Sequence, residues 1–152
     1  ETQWSESQGD KLFREMLFRH GFKTGGPLSP GGWKCYITNV VKEPDYAKNW
    51  RAKDQDDRNQ VAEIWYPVLE YELKNSSPAL VVVLGRQTNS LLLHLCNTKG
   101  LILPQIELIY HYAYIGSRAQ GTLGPMHPKR VEAYSQDFAR IAKIFQTQQK
   151  SS

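Results

Sequence analysis

At 152 residues and 40% hydrophobic content, the chain is long enough to bury a core without staples and is sized for a single domain, 1–152. Its formal charge of +4 leans toward a polyanionic partner, although so small an excess is common on proteins that touch no nucleic acid. No apolar run approaches the ~20 residues of a membrane helix, and no charged-then-apolar leader is present, so a soluble cytoplasmic or nuclear protein is expected.

The chain opens on Glu1 rather than Met, with polar, unpatterned residues, which reads as a processed or trimmed boundary. Leu12, Phe13, Met16 and Leu17 then recur at helical spacing and stop at His20-Gly21, where glycine can take the left-handed cap. Gly25-Gly26-Pro27 and Ser29-Pro30-Gly31-Gly32 form a linker. From Trp33 to Lys42 an apolar, β-branched run predicts the first strand, ending in Asn39 and Lys42.

Residues 43 to 56 are polar and irregular, with Tyr46 and Trp50 among Lys48, Arg51 and Lys53. Such a loop either stacks on bases and neutralises phosphates or packs on its own domain. Asp57 and Gln60 have capping-box spacing, and Val61, Ile64, Trp65, Val68 and Leu69 mark one face of a long helix with a kink at Pro67. The run 79–84 reads as a strand covered on both faces, 86–96 as a helix burying Leu91, Leu92 and Leu95, and 105–110 as a third strand leading to His111. A Gly-containing loop over 112–121 follows. Pro128 then starts a helix with Val131, Tyr134, Phe138, Ile141 and Phe145 on one stripe, and 146–152 form a frayed tail. Strands alternating with helices predict a three-layer α/β/α domain with a mostly parallel central sheet.

The chemistry-bearing residues gather where strands end, because side chains at the carboxyl ends of parallel strands line the ligand crevice. Asn39 offers donor and acceptor side by side, matching the imino and carbonyl groups of a pyrimidine such as uracil; it can equally be a residue that closes the strand. Lys42 either meets a phosphate or is a solvated lysine. His111 can donate to an oxygen where negative charge gathers, or it is structural. Ile115, Ser117 and Arg118 offer a wedge and phosphate contacts for a base-flipping loop, with a plain surface loop as the alternative. Arg86, at a strand-to-helix turn, is a weaker phosphate candidate. Cys35 and Cys96 read as small core hydrophobes, and His20, His94 and His127 as incidental; no metal or cofactor is expected.

Three segments together resemble the uracil-DNA glycosylase superfamily, particularly its thermostable bacterial and archaeal branch. They are Tyr36-Ile37-Thr38-Asn39-Val40-Val41-Lys42, Glu63 with Tyr66 through Leu73, and Pro78 with Val81-Val82-Val83-Leu84-Gly85-Arg86, followed by His111. The resemblance runs from about residue 8 to 145 and implies a monomeric enzyme acting on DNA. Asn39 would read uracil, His111 would stabilise the departing base, and Ser117 and Arg118 would lie in the intercalating loop. Where that branch has two cluster-binding cysteines, this chain has Glu43 and Trp65, so no iron-sulfur cluster is expected. Tyr112-Ala113 stand in place of Pro-Ser after the histidine. The Gly-rich first motif and its strand have no counterpart, which leaves three alternatives: a trimmed chain, a different segment in that slot, or a nucleic-acid-binding relative that kept the scaffold without the chemistry.

Overall fold

A βαβ unit carries the sheet of this protein. The computed structural model describes residues 7–43 and 47–150; the side chain of Ala47 and all of Tyr46 lie outside the described residues. The elements are α1 (Gln8–Arg19), α2 (Ala47–Ala52), α3 (Gln55–Ser76), β1 (Leu80–Leu84), α4 (Arg86–Lys99), β2 (Gln105–Ile109), α5 (Tyr112–Ser117) and α6 (Pro128–Lys150). The chain forms two compact units, 37–108 and a second made of 1–36 with 109–152.

In the unit 37–108, β1 and β2 pair as a small parallel sheet with α4 as the crossover, which gives an α/β fold. Gly85 begins α4 at φ 90°, a conformation that favours glycine, and Gly100 ends it in the left-handed region. Leu91, Leu92 and Leu95 are buried as expected, in a core that also holds Val40, Ala62, Leu69, Val83 and Leu101. The sheet is less covered than the apolar run suggests: Val82 is 37% exposed beside a fully covered Val83.

Helix α3 starts earlier than the predicted cap. Asp54, rather than Asp57, is the N-cap and accepts from Asp57 N–H at 2.8 Å. Its buried stripe also differs. Ala62 and Leu69 are covered, with Tyr66 and Leu73 against the same core, whereas Ile64 and Val68 face outward. The helix carries two apolar stripes, 62/66/69/73 and 61/64/68/71, and periodicity alone does not say which one finds the core.

The predicted strand 33–42 is not a strand. Trp33 makes an isolated antiparallel bridge with Lys23, and residues 34–43 join no ladder among the described residues. An alternating apolar pattern suits any half-buried extended segment; strand status requires a paired neighbour, and β1 pairs with β2 alone. Val40 still enters the core. The sheet therefore has two strands among the described residues instead of three.

In the other unit, Ser7 caps α1 by accepting from Asp10 N–H at 3.2 Å, and Leu12, Phe13, Met16 and Leu17 are buried as their spacing predicts. Phe13 stacks on Tyr112 at 5.1 Å between ring centroids and meets Phe138 edge-on at 6.0 Å. Helix α6 starts at Pro128, buries Tyr134, Phe138 and Ile141, and continues through Lys150, past the point where a tail was expected to begin. The histidines are employed: His20 Nε2 lies 3.1 Å from Ser135 Oγ, and His127 Nδ1 accepts from Lys129 N–H at 3.2 Å. In the unit 37–108, His94 Nε2 pairs with Glu63 at 3.0 Å.

Helices α1 and α5 meet through glycines. A Cβ added at Gly116 would stand 2.5 Å from the backbone nitrogen of Gly9, so neither helix can yield without moving the other. Gly116→Ala is expected to cost about 1–3 kcal/mol through overpacking, read as a lower urea midpoint. A midpoint equal to that of the wild type would show that the two helices separate freely.

The linker 25–32 is organised by a residue the sequence does not advertise. Lys23 is 1% exposed; its Nζ donates to Ser29 Oγ at 2.7 Å and to the Gly31 carbonyl at 2.6 Å, and lies 4.7 Å from the centre of the Trp33 ring. These contacts compensate the burial of an ammonium that pairs with no carboxylate among the described residues.

Candidate functional site

Within the unit 37–108, Asn39 lines an open depression of about 170 Å³ together with Val40, Val41, Trp50, Gln87, Thr88 and Leu91. Of these, Val40 and Leu91 belong to the core. Asn39 is exposed, and its side-chain amide hydrogen-bonds to none of the described residues, which leaves both its donor and its acceptor open to a ligand.

Lys42 is placed differently from a phosphate contact. Its Nζ donates to Thr38 Oγ1 at 2.9 Å, to Glu72 Oε2 at 3.0 Å and to the Asn39 carbonyl. Three acceptors occupy the three ammonium donors, so in this arrangement none remains for a phosphate. Glu72 in turn accepts from Thr38 Oγ1 at 2.8 Å. The group ties the turn 38–42 to α3 and thereby fixes the backbone that carries Asn39.

The positions at which the resemblance places cluster cysteines are Glu43 and Trp65. Trp65 Nε1 donates to Glu43 Oε1 at 3.0 Å. An indole N–H offers no lone pair to iron, so this pair does not fit a cluster and instead joins the segment after Lys42 to α3.

His111 lies in the other unit and is described there. It is the N-cap of α5, a helix where a loop was expected, and its Nδ1 accepts the Ala113 N–H at 3.1 Å. A nitrogen that accepts cannot carry the proton, so the proton of the neutral ring is on Nε2, which is thereby a donor. Burial holds the His111 pKa below its ordinary value of 6.5 and favours that neutral form.

Ile115 is 3% exposed, a core residue of α5; its burial removes it as an exposed wedge in this arrangement. Ser117 and Arg118 are exposed at the end of α5, and Arg86 is exposed at the start of α4. Ser117 Oγ donates to the Ala113 carbonyl.

Arg130, 4% exposed on α6, holds the segment around Arg118. Its guanidinium donates to the Tyr114 and Gly124 carbonyls, both at 3.0 Å, and to the Arg118 carbonyl, and it lies 5.2 Å from the centre of the Tyr114 ring. Sequence reasoning missed it, because backbone acceptors leave no residue signature. Arg130→Met leaves these carbonyls without their donor and is expected to cost about 2–3 kcal/mol in urea unfolding. Faster amide exchange over 114–124 should accompany it. Unchanged exchange there would show that Arg130 does not hold the segment.

The class of protein is thus an α/β chain with a small parallel sheet, presenting an unengaged amide in one unit and a proton-bearing imidazole nitrogen in the other. A family model described as the uracil DNA glycosylase superfamily matches residues 4–147, and the chain belongs to that superfamily. Membership supports a glycosylase-like function in general, in base-excision repair of DNA. Searches of curated proteins and of solved structures each returned no match. No described helix is long and apolar enough to cross a membrane.

Proposed function

We propose that this protein is a monofunctional, monomeric DNA glycosylase that flips out uracil or a related deaminated base and hydrolyses its N-glycosidic bond. The observation that carries the reading is the Ala113 N–H bond to His111 Nδ1, which leaves Nε2–H as a fixed donor on a neutral ring. In the proposed reaction Asn39 donates to one carbonyl of the extruded base and accepts from the adjacent imino N–H. His111 Nε2–H donates to the carbonyl oxygen on which charge collects as the bond to the sugar breaks. The sugar passes through an oxocarbenium-like state and water is the final nucleophile. Lys42, with Glu72, positions Asn39, and Arg130 positions the segment of Ser117 and Arg118, which contacts phosphates.

The test is incubation of the full chain with a uracil-containing oligonucleotide, followed by alkaline cleavage at abasic sites. Product from the uracil strand and none from a cytosine control is expected. No abasic product, with binding that falls steeply as salt rises, would favour the second reading, a nucleic-acid-binding member without catalysis. That reading is favoured by Tyr112, which packs on Phe13 at the position where the resemblance described above implies a proline.

A further inference from the structure

The depression beside Asn39 contains an indole and a second amide that the reaction above does not use. Trp50 Nε1 donates to Gln87 Oε1 at 3.0 Å. An indole nitrogen only donates, so the oxygen of Gln87 must face it and the Nε2 group, with its two donors, is turned elsewhere. Among the described residues no acceptor meets that group. The helix carrying Trp50 is fixed as well: Arg58 donates from Nε to the Trp50 carbonyl at 3.3 Å and from its terminal nitrogen to the Arg51 carbonyl at 3.1 Å. The ring is thus tied to α4 through Gln87, and its backbone to α3 through Arg58. An aromatic side chain held in this way gives up little freedom when a planar ligand settles on it.

We infer that Trp50 and Gln87 determine specificity at the proposed base site: the Trp50 indole is the stacking surface for the base that Asn39 reads, and Gln87 Nε2 donates to a carbonyl oxygen of the same ring. The inference rests on the glycosylase reading. Three observations converge on it: Asn39, Trp50 and Gln87 line one depression, the Trp50–Gln87 bond fixes the polarity of the second amide, and the core residues Val40 and Leu91 line the same depression. Base stacking on an aromatic ring tolerates any base, so discrimination falls to the two amides. A deaminated base, with a carbonyl where its parent has an amino group, offers an acceptor to a donor. The parent base sets a donor against a donor.

The experiment is a 1H–15N titration of the full chain, with the Trp50 indole peak identified by its loss in Trp50→Phe and the side-chain amide peaks of Asn39 and Gln87 by their loss in Asn39→Ala and Gln87→Ala. The probes are a uracil-containing oligonucleotide and the same strand with cytosine. All three peaks are expected to move with uracil and to move less with cytosine. Gln87→Ala is expected to weaken the uracil complex about fivefold through loss of one hydrogen bond. Trp50→Ala is expected to weaken it at least about tenfold through loss of stacking. Movement of the Asn39 peak with the Trp50 and Gln87 peaks unmoved would overturn the inference and leave the glycosylase reading standing. If none of the three moves, both fall.

Discussion

Asn39→Ala is expected to lower single-turnover release of uracil by about 10²–10³, with little change in folding stability. The estimate follows from two hydrogen bonds to a desolvated base, each contributing about 1.5–2 kcal/mol in the transition state. Stability should hold because the Asn39 side chain is exposed and bonded to no described residue, and because the Lys42 bond goes to its backbone carbonyl, which alanine retains. A variant that unfolds at lower urea and releases uracil at the wild-type rate would reverse this assignment, making Asn39 a structural residue.

His111→Ala is expected to lose a comparable factor of about 10²–10³, the usual cost of removing one fixed donor from a developing oxyanion. Its pH dependence follows from the burial of the ring. Burial depresses the folded pKa below 6.5, so between that lowered value and 6.5 the unfolded chain binds more protons than the folded one. Stability therefore rises with pH through this window; the contribution is complete above 6.5 and is lost as pH falls through the folded pKa. Protonation also sets a ring N–H against the Ala113 N–H and breaks the cap of α5. Burial together with the Arg19 charge depresses the His20 pKa as well, so the acid-side loss has two contributors of the same sign. His111→Gln should remove the His111 share of that loss and leave the His20 share. An acid profile identical to that of the wild type would show that His111 is not the buried, neutral ring described here.

Much of this arrangement is legible in the sequence where one element supplies its own cause. Leu12, Phe13, Met16 and Leu17 specify α1, Pro128 marks the start of α6, and the run ending at Gly85 sets the turn into α4. The segment 33–42 misleads because a strand is a property of two segments, and its sequence does not reveal that it lacks a ladder partner. Helix α5 is hidden by a glycine within it, Gly116, and by aromatic residues of modest helix propensity; its cap is a histidine side chain, an uncommon choice.

The candidate site shows the same division. Asn39 and His111 stand out as polar residues following apolar runs, and both carry donors or acceptors free of the described structure at the atoms the proposed chemistry needs. Lys42 stands out too, yet the sequence cannot show Glu72, thirty residues away, arriving beside it. Lys23 and Arg130 are invisible for a related reason: their hydrogen-bond partners include backbone carbonyls, which every residue provides. Trp50 was one of several aromatic and basic residues in a polar stretch, and its bond to Gln87 is what separates it from them.

The proposed glycosylase function, with Asn39 and His111 both taking part, is decided by single-turnover release of uracil from an oligonucleotide. Wild type, Asn39→Ala, His111→Ala and the double variant are compared. Abasic product is expected from the wild type, with a large loss in each single variant and a loss in the double variant smaller than the product of the two, because groups acting on one transition state are coupled. An Asn39→Ala variant that matches the wild type, or a wild type that yields no abasic product, would contradict it.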